Sequence, residues 1–555
     1  MAGGLLNLIS TGNNNVILTG NPTKTFFRVT YAKYTNFGLQ KFRIDYDGLR
    51  DLRLTDPSTF TFKMPRYAEL LMDTYLVINL PTIWSPIYNP CQQTTNIWAP
   101  YDFRWIRELG TNMISEITIT CGSQTIQKYS GEYLRAMVER DFSAEKKDLF
   151  DKMTGNIPEI NDPANAYSRQ NTYPSAYYAG PGGTAEPSIR GTTLYIPINT
   201  WFTLDSRCAF PMISLQYNEL YVTVTMRPIQ ELFQVRDVFD TANNFPYVQP
   251  DFNQPQFNMY QFLQTPVYDL SDPVNYPWPL TNNTWNADIH LLSTYCFLTG
   301  EESRRFAAED QVYLVKDVFE YTFNNVTGSQ KVQLTSSGMI ANWMMYFQRN
   351  DVNMRNEWSN YTNWPYNNLP QDIQIAPNNS QDPYGNEVIA PGQNPDNPSY
   401  QLSTGIFITG PLAVQNQKEI LETMAIVLNG DYRENVLESG VFSLVEKYVR
   451  TRGSAKEGLY CYNFCLNTDP FEYQPSGAIN SSKFRTIELE VTTYVPPYDI
   501  QNSQYNILTD STGNPIVISK NNWQLFEYNY NMKVFEERYN ILSFVGGNCG
   551  MLYAR

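Results

Sequence analysis

ISEITITC, residues 114–121, decides the fold class: Ile117, Ile119 and Cys121 fall on one side of an extended chain, and Glu116, Thr118 and Thr120 on the other. A β-branched segment of this kind is a strand with one dry and one wet face. Gly122-Ser123 then makes a tight turn into QTIQKY, so the two runs predict an antiparallel hairpin. The following SGEYLRAMVERDFSAEKKDLFDKM, residues 130–153, breaks the two-residue period. Ser130 suits an N-cap, and Leu134, Met137, Val138, Phe142, Leu149 and Met153 recur near helical spacing, which predicts one amphipathic helix or two short ones ending at Gly155.

Working outward, Gly20-Asn21-Pro22 is turn chemistry, and residues 25–31, TFFRVTY, read as a first strand. Further strands are predicted at 59–64, 73–80, 192–198 and 219–226, with a long exposed loop over 156–191. A stretch rich in Pro, Asn and Gln from Arg227-Pro228 to about Trp285 reads as a connection between domains. Strand patterns then resume at 288–298, 311–323, 338–348, 420–428, 458–466 and 484–494, with a last pair near 524–534 and 541–545. This half has its own helix candidate, ESGVFSLVEKYVRT from Glu438, and its own polar loop over 361–404. Each half thus carries strands, an inserted helix and a long loop, which predicts two tandem β-sandwiches.

Composition agrees. A chain of 555 residues exceeds one ordinary core, and 40 Tyr and 30 Phe beside only 17% charged residues favour sheets over coiled coil or disorder. The net charge of −15 opposes a phosphate backbone, and Glu145-Lys146-Lys147-Asp148, the densest charge cluster, is mixed in sign and reads as a solvated helix face. Direct nucleic-acid binding is not expected. The start MAGGLLNLI lacks a basic n-region, Ala2 occupies the place a myristoylated glycine would need, and no apolar run reaches 18 residues. Cytosolic synthesis is therefore expected, and the seven scattered cysteines read as reduced, buried thiols.

Chemistry is hard to assemble from these residues. His290 is the sole histidine and sits in the alternating run NADIHLLSTY, where a structural role is expected. Glu301-Glu302, Glu536-Glu537 and Asp269 with Asp272 could be offered as glycosidase acids, but neighbours on a strand point to opposite faces, so surface charge is the expectation. GPGG at Gly180 lacks the Lys-Ser or Lys-Thr of a phosphate cradle, and Cys461 with Cys465 lacks the further ligands of a zinc site. The aromatics of NEWSNYTNWPYNN, notably Trp358 and Trp364, are what a glycan-binding β-sandwich, lectin or fibre-like, would use. The sequons at Asn282, Asn325, Asn360, Asn378 and Asn480 are attributed to an Asn-rich composition. No catalytic, cofactor-binding or metal-binding residue is assigned.

Several stretches together resemble the major capsid proteins of the nucleocytoplasmic large DNA viruses. They are MAGGLLNLISTGNNNVILTGNPTKTFFRVTYAKYTNF at the start, MISEITITCGSQTIQKYSGEYL, YCFLTGEESRRFAAEDQVYLVKDV, QPSGAINSSKFRTIELE, and GGNCGMLYAR at the terminus. The matches keep their order along the chain. Two departures stand out: Asp310-Gln311-Val312-Tyr313 lacks the histidine usual before the second-sandwich motif, and the Asn/Pro loop after Trp364 is long. The resemblance implies an all-β double jelly roll, two eight-stranded sandwiches with short inserted helices and outward loops. The expected division is an arm or base segment at 1–24, a first jelly roll at 25–230, a connection at 231–285 and a second jelly roll at 286–555. It also implies a homotrimer forming a pseudo-hexameric capsomer that tiles an icosahedral shell, without enzymatic activity. Implied partners are neighbouring capsomers, minor cement and penton proteins, and the inner viral membrane through the arm, with glycans on outer loops; the implied location is the virion's outer shell, after assembly in the host cytoplasm.

Overall fold

The computed structural model describes residues 35–88, 97–169, 172–176, 185–240, 246–367 (except 269 and 271), 417–496 (except 455 and 473) and 527–553, with short pieces at 374–375, 401–402, 407–408, 506–509 and 515–519. The arm at 1–24 and the strand expected at 25–31 lie outside these residues, as does most of the loop after residue 367.

The first sandwich is built from β1 (Phe37–Asp45), β2 (Ser58–Lys63), β3 (Leu70–Asn79), β4 (Ile114–Cys121), β5 (Gln124–Tyr129), β6 (Thr193–Pro197), β7 (Leu220–Met226) and β8 (His290–Leu298). One sheet runs β1-β8-β3-β6 and the other β2-β7-β4-β5, with antiparallel pairing throughout. Between β5 and β6 lie α1 (Gly131–Asp141) and α2 (Ala144–Thr154), and α3 (Gly300–Ala308) leads out of β8.

The second sandwich contains β9 (Gln311–Phe323), β10 (Ser329–Gln333), β11 (Met339–Arg349), β12 (Leu421–Leu428), β13 (Asp431–Glu438), β14 (Leu459–Asn463), β15 (Ile487–Thr493) and β16 (Tyr530–Val545). Its sheets run β9-β16-β11-β14 and β10-β15-β12-β13. Every strand of the first sandwich therefore has a counterpart eight places later with the same neighbours. Helical turns at Val441–Val445 and Glu446–Arg450 follow β13, as α1 and α2 follow β5. Two eight-stranded sandwiches of one topology in tandem are a double jelly roll.

Local sequence explains the matching strands. β7, LYVTVTM, and its counterpart β15, IELEVTT, both alternate buried and half-buried residues along their whole length, as a strand covered on one face requires. On the wet side of β2 and β7, Thr59 faces Thr225 and Thr61 faces Thr223 at 3.3 and 3.2 Å, cross-strand hydroxyl pairs. β11 departs from alternation because it is covered on both faces. Trp343, Met345 and Phe347 enter the second core, while Met344 and Tyr346 enter the first. One core thus extends across the boundary between the sandwiches.

The structure corrects four readings. Residues 288–298, read as the opening of the second sandwich, form β8, which is hydrogen-bonded between β1 and β3 of the first; nothing local marks a strand's distant sheet partner. The stretch 231–285 is no bare connection, since Phe233, Val235, Phe257, Met259 and Phe262 are buried in the first core. The strand pair expected near 524–534 and 541–545 is one strand of 16 residues, β16. Finally, Glu536 and Glu537 within it are almost wholly buried rather than surface charges.

Candidate functional site: the seam between the sandwiches

α1 is the element that joins the two halves. Ser130 caps it, accepting from the Tyr133 amide at 3.3 Å, and all eleven residues are buried, among them Glu132, Arg135, Glu139, Arg140 and Asp141. Five ionisable groups on an enclosed helix demand partners. Those of Arg140 and Asp141 beyond the helix come from the second sandwich, while Arg135 and Glu139 are met within the first.

Arg140 stands at the centre. Its Nη1 donates to Asn342 Oδ1 at 2.7 Å, and its Nη2 donates to Asp141 Oδ2 at 2.6 Å and Glu537 Oε1 at 2.9 Å. Glu537 also accepts from Tyr133 Oη and Asn342 Nδ2, each at 2.8 Å, and Lys316 Nζ lies 3.8 Å from its Oε2. Burial would raise the Glu537 carboxyl, but Arg140, Lys316 and these donors outweigh it and hold the pKa at about 2. Asp141 is shifted the other way: burial raises it, and the single guanidinium it shares with Glu537 compensates only in part.

Two flanking clusters extend the lock. Glu132 pairs with Lys533 of β16 and lies 3.6 Å from Arg227. Glu108 takes Lys456 at 2.6 Å and Arg135 at 3.3 Å, while Arg135 also reaches Glu139 and Asp151. At the edge, Gln127 Nε2 of β5 donates to the Lys316 carbonyl of β9 at 2.9 Å, and the Ser130 amide donates to Glu320 at 2.6 Å. The backbones approach closely at Gly453, whose amide donates to the Arg140 carbonyl at 2.8 Å and where a Cβ would stand 2.3 Å from the Glu139 carbonyl oxygen. Buried pairs with full hydrogen bonding fix geometry more than they add stability. The seam thus fixes the register between two sandwiches that also share a core.

A cavity of about 70 Å³ beside Gln127, Tyr133, Lys316, Asp469 and Glu537 has room for water, against the roughly 300 Å³ and upward of ligand pockets. Glu536 and Glu537 point to opposite sides of β16, as adjacency requires: Glu536 accepts from Trp343 Nε1 at 2.7 Å and Ser336 Oγ at 2.6 Å, away from the seam. Glu301 and Glu302 lie in the first turn of α3, which buries no residue; Asp269 lies outside the described residues. His290 begins β8, its Nδ1 donating to the Asp288 carbonyl at 2.6 Å. Cys461 and Cys465 are both buried, the first in β14 and the second just beyond it.

The aromatic segment offered for glycan stacking is spent on packing. Trp358 donates from Nε1 to the Glu231 carbonyl at 3.0 Å and carries the Arg227 guanidinium 4.0 Å above its ring, while Lys418 Nζ lies 4.8 Å from the Trp364 ring centre. Both rings are half-buried, so the glycan-binding reading loses its platform. Of the sequons, Asn360 and Asn480 are buried, Asn282 and Asn325 are exposed, and Asn378 lies outside the described residues. The seam residues themselves went unassigned in the sequence. The one available signal was the charge density of YLRAMVERD on a helix whose apolar positions already required burial.

Comparison with known proteins bears on both halves. Residues 25–263 match the family model described as major capsid protein N-terminus, and residues 302–550 match that of the large eukaryotic DNA virus major capsid protein. The major capsid protein of Phaeocystis pouchetii virus is 24% identical over 595 residues, covering all of both chains. That of Chrysochromulina ericina virus is 26% identical over 59% of this chain and 54% of its own. Among solved structures, the PBCV-1 virus capsid aligns with a TM-score of 0.59 at 18% identity, covering 96% of this chain and 100% of that one. The Faustovirus major capsid protein aligns with a TM-score of 0.57 at 13% identity over 93% and 92% of the two chains. The structures testify to the shared fold, and the sequence matches, spanning both sandwiches in order, to descent: the chain belongs to the major capsid proteins of large eukaryotic DNA viruses and is a structural subunit of the capsid.

Proposed function

We propose that three copies of this chain close into a capsomer of nearly hexagonal outline, and that these capsomers tile the icosahedral outer shell of the virion. The observation that carries this reading is the strand-for-strand repetition of β1–β8 by β9–β16. Two like sandwiches per chain, taken three times, approximate six-fold symmetry, and closed cyclic assemblies leave no unpaired interface. The buried α1 seam supports it too, because a hexagonal outline requires the two sandwiches to be held at one fixed angle.

On this reading the molecule acts by assembly and not by turnover. Its division is read as a first jelly roll closing at Leu298, α3 as the link, and a second jelly roll from Gln311. Neighbouring capsomers are the principal partners. Minor cement and penton proteins, the inner membrane beside the 1–24 segment, and glycans on exposed loops are further contacts that the family resemblance suggests, with assembly in the host cytoplasm. The test is the mass of the purified protein in solution, followed by negative-stain imaging. A three-chain particle with a hexagonal profile is expected; a single chain at all concentrations overturns the reading.

A further inference from the structure

The chain ends its described course in a small hairpin. After β16 it turns at Gly546-Gly547, both at positive φ, and β17 (Asn548–Met551) runs back along the end of β16, with Cys549 opposite Phe544. This hairpin belongs to the second sandwich in sequence, yet it rests on the first. The amides of Gln216 and Tyr217 donate to the Gly547 carbonyl at 3.0 and 3.2 Å, and the Met551 amide donates to Gln124 Oε1 at 3.4 Å. Phe544 meets Phe210 edge to face with ring centres 5.2 Å apart. A two-stranded hairpin is marginal by itself, so these few contacts decide whether it stays docked.

Two thiols meet under it. Cys121, the last residue of β4, is 1% exposed, Cys549 is 8% exposed, and the Cys549 thiol donates a hydrogen bond to the Cys121 sulfur. The pair lies just beneath the surface, since Gly122, Ser123 and Asn548 beside it are exposed. Its electrostatics set it apart from the other described cysteines. Burial pushes Cys208 up to about 12 and Cys461 up to about 11, which keeps them protonated and unreactive. Cys121 is instead held below the ordinary thiol value, first by the hydrogen bond from Cys549 and then by the Arg66 guanidinium. Cys549, as the donor, is raised. One thiol is thus readied as a nucleophile and the other is placed to answer it.

We propose that Cys121 and Cys549 are an oxidation site: on meeting a peroxide they form a disulfide within one chain, which staples the carboxyl-terminal hairpin to the first sandwich. A capsid subunit folds in the reducing interior of a cell and is later carried outside it, where disulfides persist. A water-sized oxidant suits so enclosed a pair. The Cys121 thiolate, its proton given to water, attacks one peroxide oxygen; the O–O bond breaks, the sulfur becomes a sulfenic acid, and hydroxide leaves with the electron pair. That hydroxide takes the Cys549 proton, and the new thiolate attacks the Cys121 sulfur. The second hydroxide then leaves and takes up the proton released at the start. Two thiols and one peroxide give one disulfide and two waters. The linked positions are about 430 residues apart, so the bond closes nearly the whole chain into a loop.

The test takes the full chain, purified under reducing conditions, before and after addition of stoichiometric hydrogen peroxide. Free thiols are blocked with N-ethylmaleimide in denaturant, and the chain is digested with trypsin without reduction. The expected product joins residues 108–128 to 539–555, each holding one cysteine, and dithiothreitol releases it. On a non-reducing gel the oxidised protein should run as a single chain. Its thermal midpoint should rise by about 3–6 °C, reversibly. Cys549→Ser should keep the midpoint of the reduced chain and lose both the link and the rise; should that variant fail to fold, the peptide map of the wild-type chain still decides. The proposal is overturned by both thiols remaining blockable after peroxide, by sulfinic or sulfonic acid in place of the link, by a link to another cysteine or another chain, or by a link that leaves the midpoint unmoved. Membership of the capsid family stands under every one of these outcomes, because it rests on the sequence matches.

Discussion

Arg140 and Glu537 are fully buried partners from different sandwiches, and removing one strands the other. Arg140→Ala is expected to cost about 3–5 kcal/mol, read from chemical denaturation, because it leaves two buried carboxylates without their shared guanidinium. Glu537 also sets an acid limb. Its carboxyl is depressed from 4.5 to about 2, so the stability it lends is complete above about pH 4.5 and vanishes as pH falls through about 2. That difference is on the order of 3 kcal/mol. Asp141, raised by burial, acts in the opposite sense: its ionised form is penalised, and acid relieves it. Glu537→Gln should therefore flatten the loss of stability between pH 4.5 and 2 in denaturation curves measured across that range. A variant profile parallel to wild type would mean that other carboxylates govern the acid limb.

At the scale of elements, the same closeness that locks α1 makes it intolerant of bulk. Gly453→Ala places a methyl 2.3 Å from the Glu139 carbonyl oxygen and 2.5 Å from the Arg140 carbonyl, both backbone, so the helix must lift. The expected outcome is a lowered thermal midpoint and faster proteolytic cleavage in the 299–310 link, resolved by mass mapping of the fragments. Which elements were legible follows from their burial. ISEITITC gave itself away because one face is dry; the counterpart of β5, DYRENVLE in β13, is exposed or half-exposed at every position and shows no alternation, although Asn429-Gly430 before it, both at positive φ, is a hairpin signal. β16 reads as two strands because Glu536-Glu537-Arg538 interrupts its apolar run, and those charges are buried only because α1 and Trp343 come to meet them. The seam was invisible for the same reason: its logic lies between residues some 400 positions apart, such as Tyr133 and Glu537, which are separated by 404.

For the whole molecule, the seam makes one cooperative unit of two sandwiches, since the first core continues through Met344 and Tyr346 of β11. Scanning calorimetry of the wild-type chain should give a single principal transition, and Arg140→Ala should split it into two; two transitions in both would deny the coupling. The double architecture was readable from the order of strands, helix and loop in each half, but the ownership of β8 was not, because pairing with β1 across some 250 residues leaves no local trace. In each sandwich the first strand lies beside the last, so β16 slots between β9 and β11 and brings Glu537 to Arg140. Translation order then becomes an inspection step. A ribosome that halts before Tyr530 releases a product with an open slot in its second half and an orphaned guanidinium in its middle, so defective messages yield debris for proteases and not misfitting tiles for a growing shell.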